Sequence, residues 1–215
     1  WSSVRYDLAR KVFNTILEDR LKEMAASNPK VSSAVAVPMN LSDLRFTTQI
    51  TSMVKSPEEL PFAVEAVAGE LEKARRYGFT EAELASAKAY CRKKMHITEP
   101  LTADRITNGM LVSSYIESFT RGIPYIYPSV LQDRQIEYLE DISLEEIGNL
   151  IPDLLEDAET IVMYSVKDSK VAQLPSEEQT LAILERAAGG DYEAPADAAG
   201  DGFGLEITAG GCRIA

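Results

Sequence analysis

Apolar residues recur along this chain at two different spacings, and the changes of spacing divide it into elements. From Val4 the run Val4, Leu8, Val12, Ile16, Leu17, Leu21 and Met24 keeps the i, i+4 rows of a helix, predicted over 4–26 and ended by Asn28-Pro29. The period then drops to two. Val31, Ser33, Val35 and Val37 fall on one face of a first strand, and Leu44, Phe46, Thr48, Ile50 and Ser52 on one face of a second, so a hairpin turning at 40–43 is expected.

Residues 56–94 read as two helices around which the remainder would be organised. Ser56, Pro57 and Glu59 spell a capping box with proline at the first helical position, and Thr80 and Glu83 repeat the box. Gly78 between them suits the positive-φ residue that ends a helix. On the first of these helices Phe62, Ala66, Gly69 and Lys73 form one row beside Val64, Val67 and Leu71, with Glu65, Glu70, Glu72, Arg75 and Arg76 turned away.

A loop at 97–101 precedes a helix predicted over 102–119, with Ile106, Met110, Ser113 and Glu117 on adjoining rows. The segment IPYIYP at 123–128 reads as a packed loop, and a helix follows over 129–139. Ser143 and Glu146 open a further helix that Pro152 should kink or split. ETIVMYSV at 159–166, a nearly continuous apolar run, predicts a third strand buried on both faces. Ser176 and Gln179 cap a last helix. The fold class expected is α+β, mainly an antiparallel sheet covered by helices. Residues 1–188 form one domain and 189–215, rich in acidic residues, glycine and alanine, a linker toward a following domain; the final LEITAGGCRIA is compatible with one more strand.

Composition narrows the partners. The 215 residues are 45% hydrophobic, enough for one large core, and carry a net charge of −12. That balance opposes nucleic acid and anionic membrane, since counterion release requires a basic face. No apolar run approaches the roughly 20 residues of a membrane span. A helical pattern already running at Val4, with neither an apolar signal core nor an initiating methionine, leads us to expect an excised segment, so the lack of a leader says nothing about compartment.

Candidate chemistry is sparse. His96 is the single histidine, with Glu99 three residues on, and zinc would need at least two further ligands. Cys91 and Cys212 are most simply free thiols. There is no GxSxG turn for a nucleophile, and GDGFG at 200–204 is not followed by a capped helix that could hold phosphate. The pairs Glu58-Glu59, Glu145-Glu146 and Glu177-Glu178 lie in first helical turns, where the helix dipole favours them, and Arg92-Lys93-Lys94 lies at a C-terminal end for the same reason. No catalytic, cofactor-binding or metal-ligating residue is assigned.

Four stretches in order, RLKEMA at 20–25, RRYGFTEAELASAK at 75–88, LEDISLEEIGNLIPDLL at 139–155 and LPSEE at 174–178, resemble the insulinase (pitrilysin) family of zinc metallopeptidases. The resemblance spans nearly all of 1–188. It is to a half-domain of the type that does not bind zinc, by analogy the second of four, because neither HxxEH nor the paired arginine and tyrosine that such a half-domain can lend to the zinc site is present; Ala25 stands where that arginine would be. The resemblance implies a structural, substrate-chamber role in a zinc metalloendopeptidase, with zinc in another domain and with other half-domains and peptide as partners. It also implies a periplasmic or envelope location. An inactive subunit of a two-chain peptidase or processing complex, and a non-enzymatic protein-binding module, are the alternatives.

Overall fold

The structure, a computed structural model, describes residues 2–42, 45–156 and 160–195. Its axis is helix α1, Ser2–Ser27, in which every residue from Val12 to Leu17 is buried together with Leu8, Ala9, Leu21 and Met24. A helix buried all round serves as the centre of a core rather than as one of its walls. The organising element is therefore α1, in place of the expected pair at 56–94. That pair exists as α2, Leu60–Tyr77, and α3, Glu81–Lys94, but the two make little contact with each other: α3 packs on α1, and α2 lies between α1 and the last helix.

The hairpin is β1, Ser33–Ser42, antiparallel to β2, Arg45–Met53, and the two form the entire sheet among the described residues. Partners across an antiparallel ladder share a face, so Ala34 with Ser52, Ala36 with Ile50 and Pro38 with Thr48 define the face toward α1. The β2 set Thr48, Ile50 and Ser52 is the expected inner one. In β1 the expected phase is reversed: Ala34 and Ala36 are buried at 1% and 2% exposure, while Val35 and Val37 face outward at 36% and 48%. The strand packs directly on α1, with the small alanine side chains turned toward the helix. Thr48 Oγ1 donates to Asn14 Oδ1 at 2.8 Å, and Asn14 Nδ2 donates to the Arg10 carbonyl, tying sheet to helix.

Helix α4, Asn108–Arg121, starts later than expected, with Thr107 rather than Thr102 as its cap, after a short 3-10 turn at Ala103–Arg105. It touches α5, Pro128–Asp141, and its apolar stripe Val112, Tyr115, Ile116 and Phe119 faces solvent. The IPYIYP loop is packed, as expected, through Tyr125 stacked on Tyr115 at 4.2 Å. Beyond α5 the next helix is split before Pro152 into α6, Leu144–Gly148, and a π turn, Pro152–Glu156. Leu139, Ile142, Ile147, Leu150 and Ile151 from this region complete the core around α1. Arg5 holds it from outside, with a bidentate bond to Glu146 and a 2.7 Å contact to Asp141. The final helix α7, Glu177–Ala188, carries the expected Ser176–Gln179 box and packs on α2.

The third expected strand is not formed. Residues 160–166 join no ladder, and Ile161 and Met163 are 81% and 83% exposed. Residue 159, together with Cys212 and the tail from 196 onward, lies outside the described residues. The fold is α+β: mainly helical, with one small antiparallel sheet.

Candidate functional site

Arg20, near the end of α1, has its guanidinium drawn across the corner between α2 and α3. Nε and Nη2 donate to the two carboxylate oxygens of Glu83 at 2.5 and 2.9 Å, and Nη2 also donates to the Gly78 carbonyl at 2.9 Å. The plane of the cation stacks over Phe79, 4.8 Å from the ring centroid, and Phe79 meets Phe13 edge-on at 5.2 Å. The corner presents these groups because Gly78 sits at φ 65, ψ −143, a conformation open to glycine alone. The Thr80–Glu83 box aims the carboxylate: Glu83 accepts from the Thr80 amide at 2.7 Å while Thr80 Oγ1 accepts from the Glu83 amide. Burial pushes the Glu83 carboxyl upward, yet its bonds to Arg20 and to the Thr80 amide outweigh that and hold its pKa below the ordinary value. Two of the sequence stretches that carry the family resemblance, 20–25 and 75–88, are thus joined by a single ion pair.

Above this pair runs an open, polar groove of ≈ 370 Å³ lined by Arg20, Glu23, Glu70, Lys73, Glu83 and Glu193. It continues past Met24 and Lys73 into a more apolar trough of ≈ 330 Å³ beside Phe62, Ala66 and Tyr192. Glu70 is already matched by Lys73 at 2.8 Å, and Glu83 by Arg20. Glu72, expected on the outward face of α2, is buried because Arg75 and Arg76 both close on its carboxylate at 2.6 Å. Hydrogen bonds from Arg75 and then Arg76 outweigh burial and keep Glu72 below the usual carboxylate range.

The far wall of the groove is the segment following α7. Arg76 donates to the carbonyls of Gly190 and Ala188, and the Tyr77 hydroxyl donates to the Tyr192 carbonyl. The Tyr192 ring lies 5.5 Å from the Arg76 guanidinium and 5.9 Å from the Lys73 ammonium, and its hydroxyl donates to the Ala187 carbonyl. Gly69 makes room for that ring, since a Cβ there would stand 3.1 Å from the Tyr192 oxygen. Residues 189–195, part of the stretch read as a linker, are seated on α2 by these contacts. Alternation of apolar and polar residues could not signal this, because the partners lie more than a hundred positions away.

The sequence candidates for chemistry are scattered. His96 is exposed and occupies φ 54 just past α3; Ile97 N bonds to the Arg92 carbonyl and His96 N to the Lys93 carbonyl, so the histidine terminates a helix. Cys91 is a free thiol, as expected, buried under α1 with its sulfur 3.5 Å from Thr15 Oγ1, and burial pushes its pKa up. Among the described residues no three His, Cys, Asp or Glu side chains converge on a point that could hold a metal ion.

No family model matches the sequence, and no curated protein matches it. Solved structures do. The ferredoxin protease FusC, in complex with Arabidopsis ferredoxin, superposes with a TM-score of 0.73 at 17% identity, over 90% of this chain and 22% of that one. The first half of the periplasmic protease PqqL from Escherichia coli gives 0.68 at 14% identity, over 90% of this chain and 42% of that one. A predicted insulinase family protease from Yersinia pestis gives 0.53 at 18% identity, over 84% and 39%. The chain spans less than half the length of each, and at these identities the likeness is one of fold. The fold built around α1 is one that this chain shares with these protease structures.

Proposed function

We propose that this chain is a non-catalytic half-domain of a zinc metalloendopeptidase of the insulinase type, forming part of the wall of a substrate chamber. The observation that carries the reading is the superposition over 90% of this chain on about a fifth of one protease and two-fifths of a half-protease, with a TM-score of 0.73 and 0.68 respectively. A unit of that size is one part among several. Its partners in this reading are the other half-domains of the same peptidase and the peptide enclosed with them, and the acidic stretch 189–215 leads toward the next domain. The catalytic zinc belongs to another domain of the parent protein, since the single histidine here caps a helix. The periplasmic setting of PqqL supports a periplasmic or envelope location for this protein too.

The experiment compares the 215-residue chain with its full-length parent on a panel of fluorogenic peptides. The chain alone is expected to cleave none, with or without added zinc, while the parent cleaves and loses activity to a chelator. Zinc-dependent cleavage by the isolated chain that survives His96→Ala would overturn the reading.

A further inference from the structure

Residues 160–166 combine the composition of a buried strand with no strand pairing among the described residues. Exposure alternates along them: Val162, Tyr164 and Val166 are half-buried, and Ile161, Met163 and Ser165 are exposed. Period two is the mark of an extended chain. Its inner face is seated, because the Tyr164 hydroxyl meets Thr180 Oγ1 of α7 at 2.9 Å and Thr180 is buried. The edges are open. No ladder includes 160–166, and no backbone hydrogen bond links these residues to any described part of the chain.

We propose that 160–166 is an open strand edge that takes up a β-strand from the remainder of the parent polypeptide, burying Ile161 and Met163 in a sheet larger than the hairpin. Three observations favour that occupant. Unpaired N–H and C=O groups along an extended chain are a template on which a further extended chain can pair. A run apolar on both faces, IVMYSV, suits a strand covered on both sides. The solved chains that share this fold are far longer, this one spanning 42% and 22% of two of them. A second copy is disfavoured, since each carries a net charge of −12. The inference rests on the reading of the chain as one part of a larger protein.

The test is amide hydrogen exchange of 160–166 in the 215-residue chain and in the full-length parent. Protection at least about 100-fold greater in the parent is expected. Alternate amides protected indicate one new neighbour, and consecutive amides indicate two. Equal exchange in both overturns the proposal, as does protection in the isolated chain that rises with its concentration, which would assign the edge to a second copy. A second measurement uses Met163→Pro, which deletes one amide proton. It is expected to move the Tm of the isolated chain by no more than about 1 °C and to lower that of the parent by more; equal shifts count against the proposal. Peptidase activity of the parent is scored separately. Protection without activity keeps this inference and removes the functional reading, and activity without protection does the reverse.

Discussion

Two residues hold positive φ at the ends of α2 and α3, and their chemistry predicts opposite responses to substitution. Gly78 has open space where a Cβ would go, so the strain of Gly78→Ala is confined to the backbone. We expect it to destabilise by about 1–3 kcal/mol in chemical denaturation. His96 already bears that strain as a non-glycine residue at φ 54. His96→Gly should stabilise by about 0.5 kcal/mol, the relief of left-handed strain exceeding the extra freedom of the unfolded glycine. A loss of stability there would mean that the imidazole itself supports the fold. Both residues follow a helix that ends in basic side chains, Arg75 and Arg76 on α2 and Arg92, Lys93 and Lys94 on α3, so the helix dipole is answered in each case and the difference lies in the cap.

At the scale of elements, the Arg20–Glu83 pair joins α1 to α3 and, through the Gly78 carbonyl, to the end of α2. Removing one partner of a buried pair leaves the other desolvated, so Arg20→Ala is expected to cost about 2–4 kcal/mol, with Glu83 partly wet. The pair also sets a pH response. Glu83 has its folded pKa held below the unfolded value, so its contribution is fully present above the ordinary 4.5 and is lost as pH falls through the folded value. Acid unfolding followed by circular dichroism should show a shallower loss of stability below that range in Glu83→Gln than in the parent sequence. Identical slopes would show that other carboxylates, such as Glu72 between its two arginines, govern the acid limb. The capping boxes at Ser56, Thr80 and Ser176 are readable, because a hydroxyl and a carboxylate or amide three residues apart meet within one turn; at Ser143 only the hydroxyl caps, since the Glu146 carboxylate is taken by Arg5. The pairing of Arg20 with Glu83 was not readable, because 63 residues separate them.

Across the whole molecule, the strap at 189–195 ties the segment after α7 back onto α2, and Arg76 is its main fastening. Arg76→Ala should cost about 1–2 kcal/mol, since it takes one of two arginines from the buried Glu72, and should raise the rate of chymotryptic cleavage after Tyr192 by about tenfold. An unchanged cleavage rate would assign the fastening to the Tyr192 ring in its Gly69 recess instead. The strap and α7 close over α2 while α1 runs through the centre, so α2, one of the two helices expected to organise the chain, is a middle layer.

The sequence by itself determined what depends on neighbours within a turn or two: the extent of α1, the starts and stops of α2, α3 and α7, the break before Pro152, and the inner face of β2. These follow from period, capping chemistry and proline, all local. The tertiary structure alone decided which surfaces met. It buried alanines instead of valines on β1, where the strand packs directly on α1. It drew Glu72 inward between two arginines, turned the stripe of α4 toward solvent, seated Tyr192 on Gly69, and left Ile161 and Met163 in water. Burial is a property of pairs of surfaces, and an apolar segment such as 160–166 does not name in its own residues the surface that would cover it.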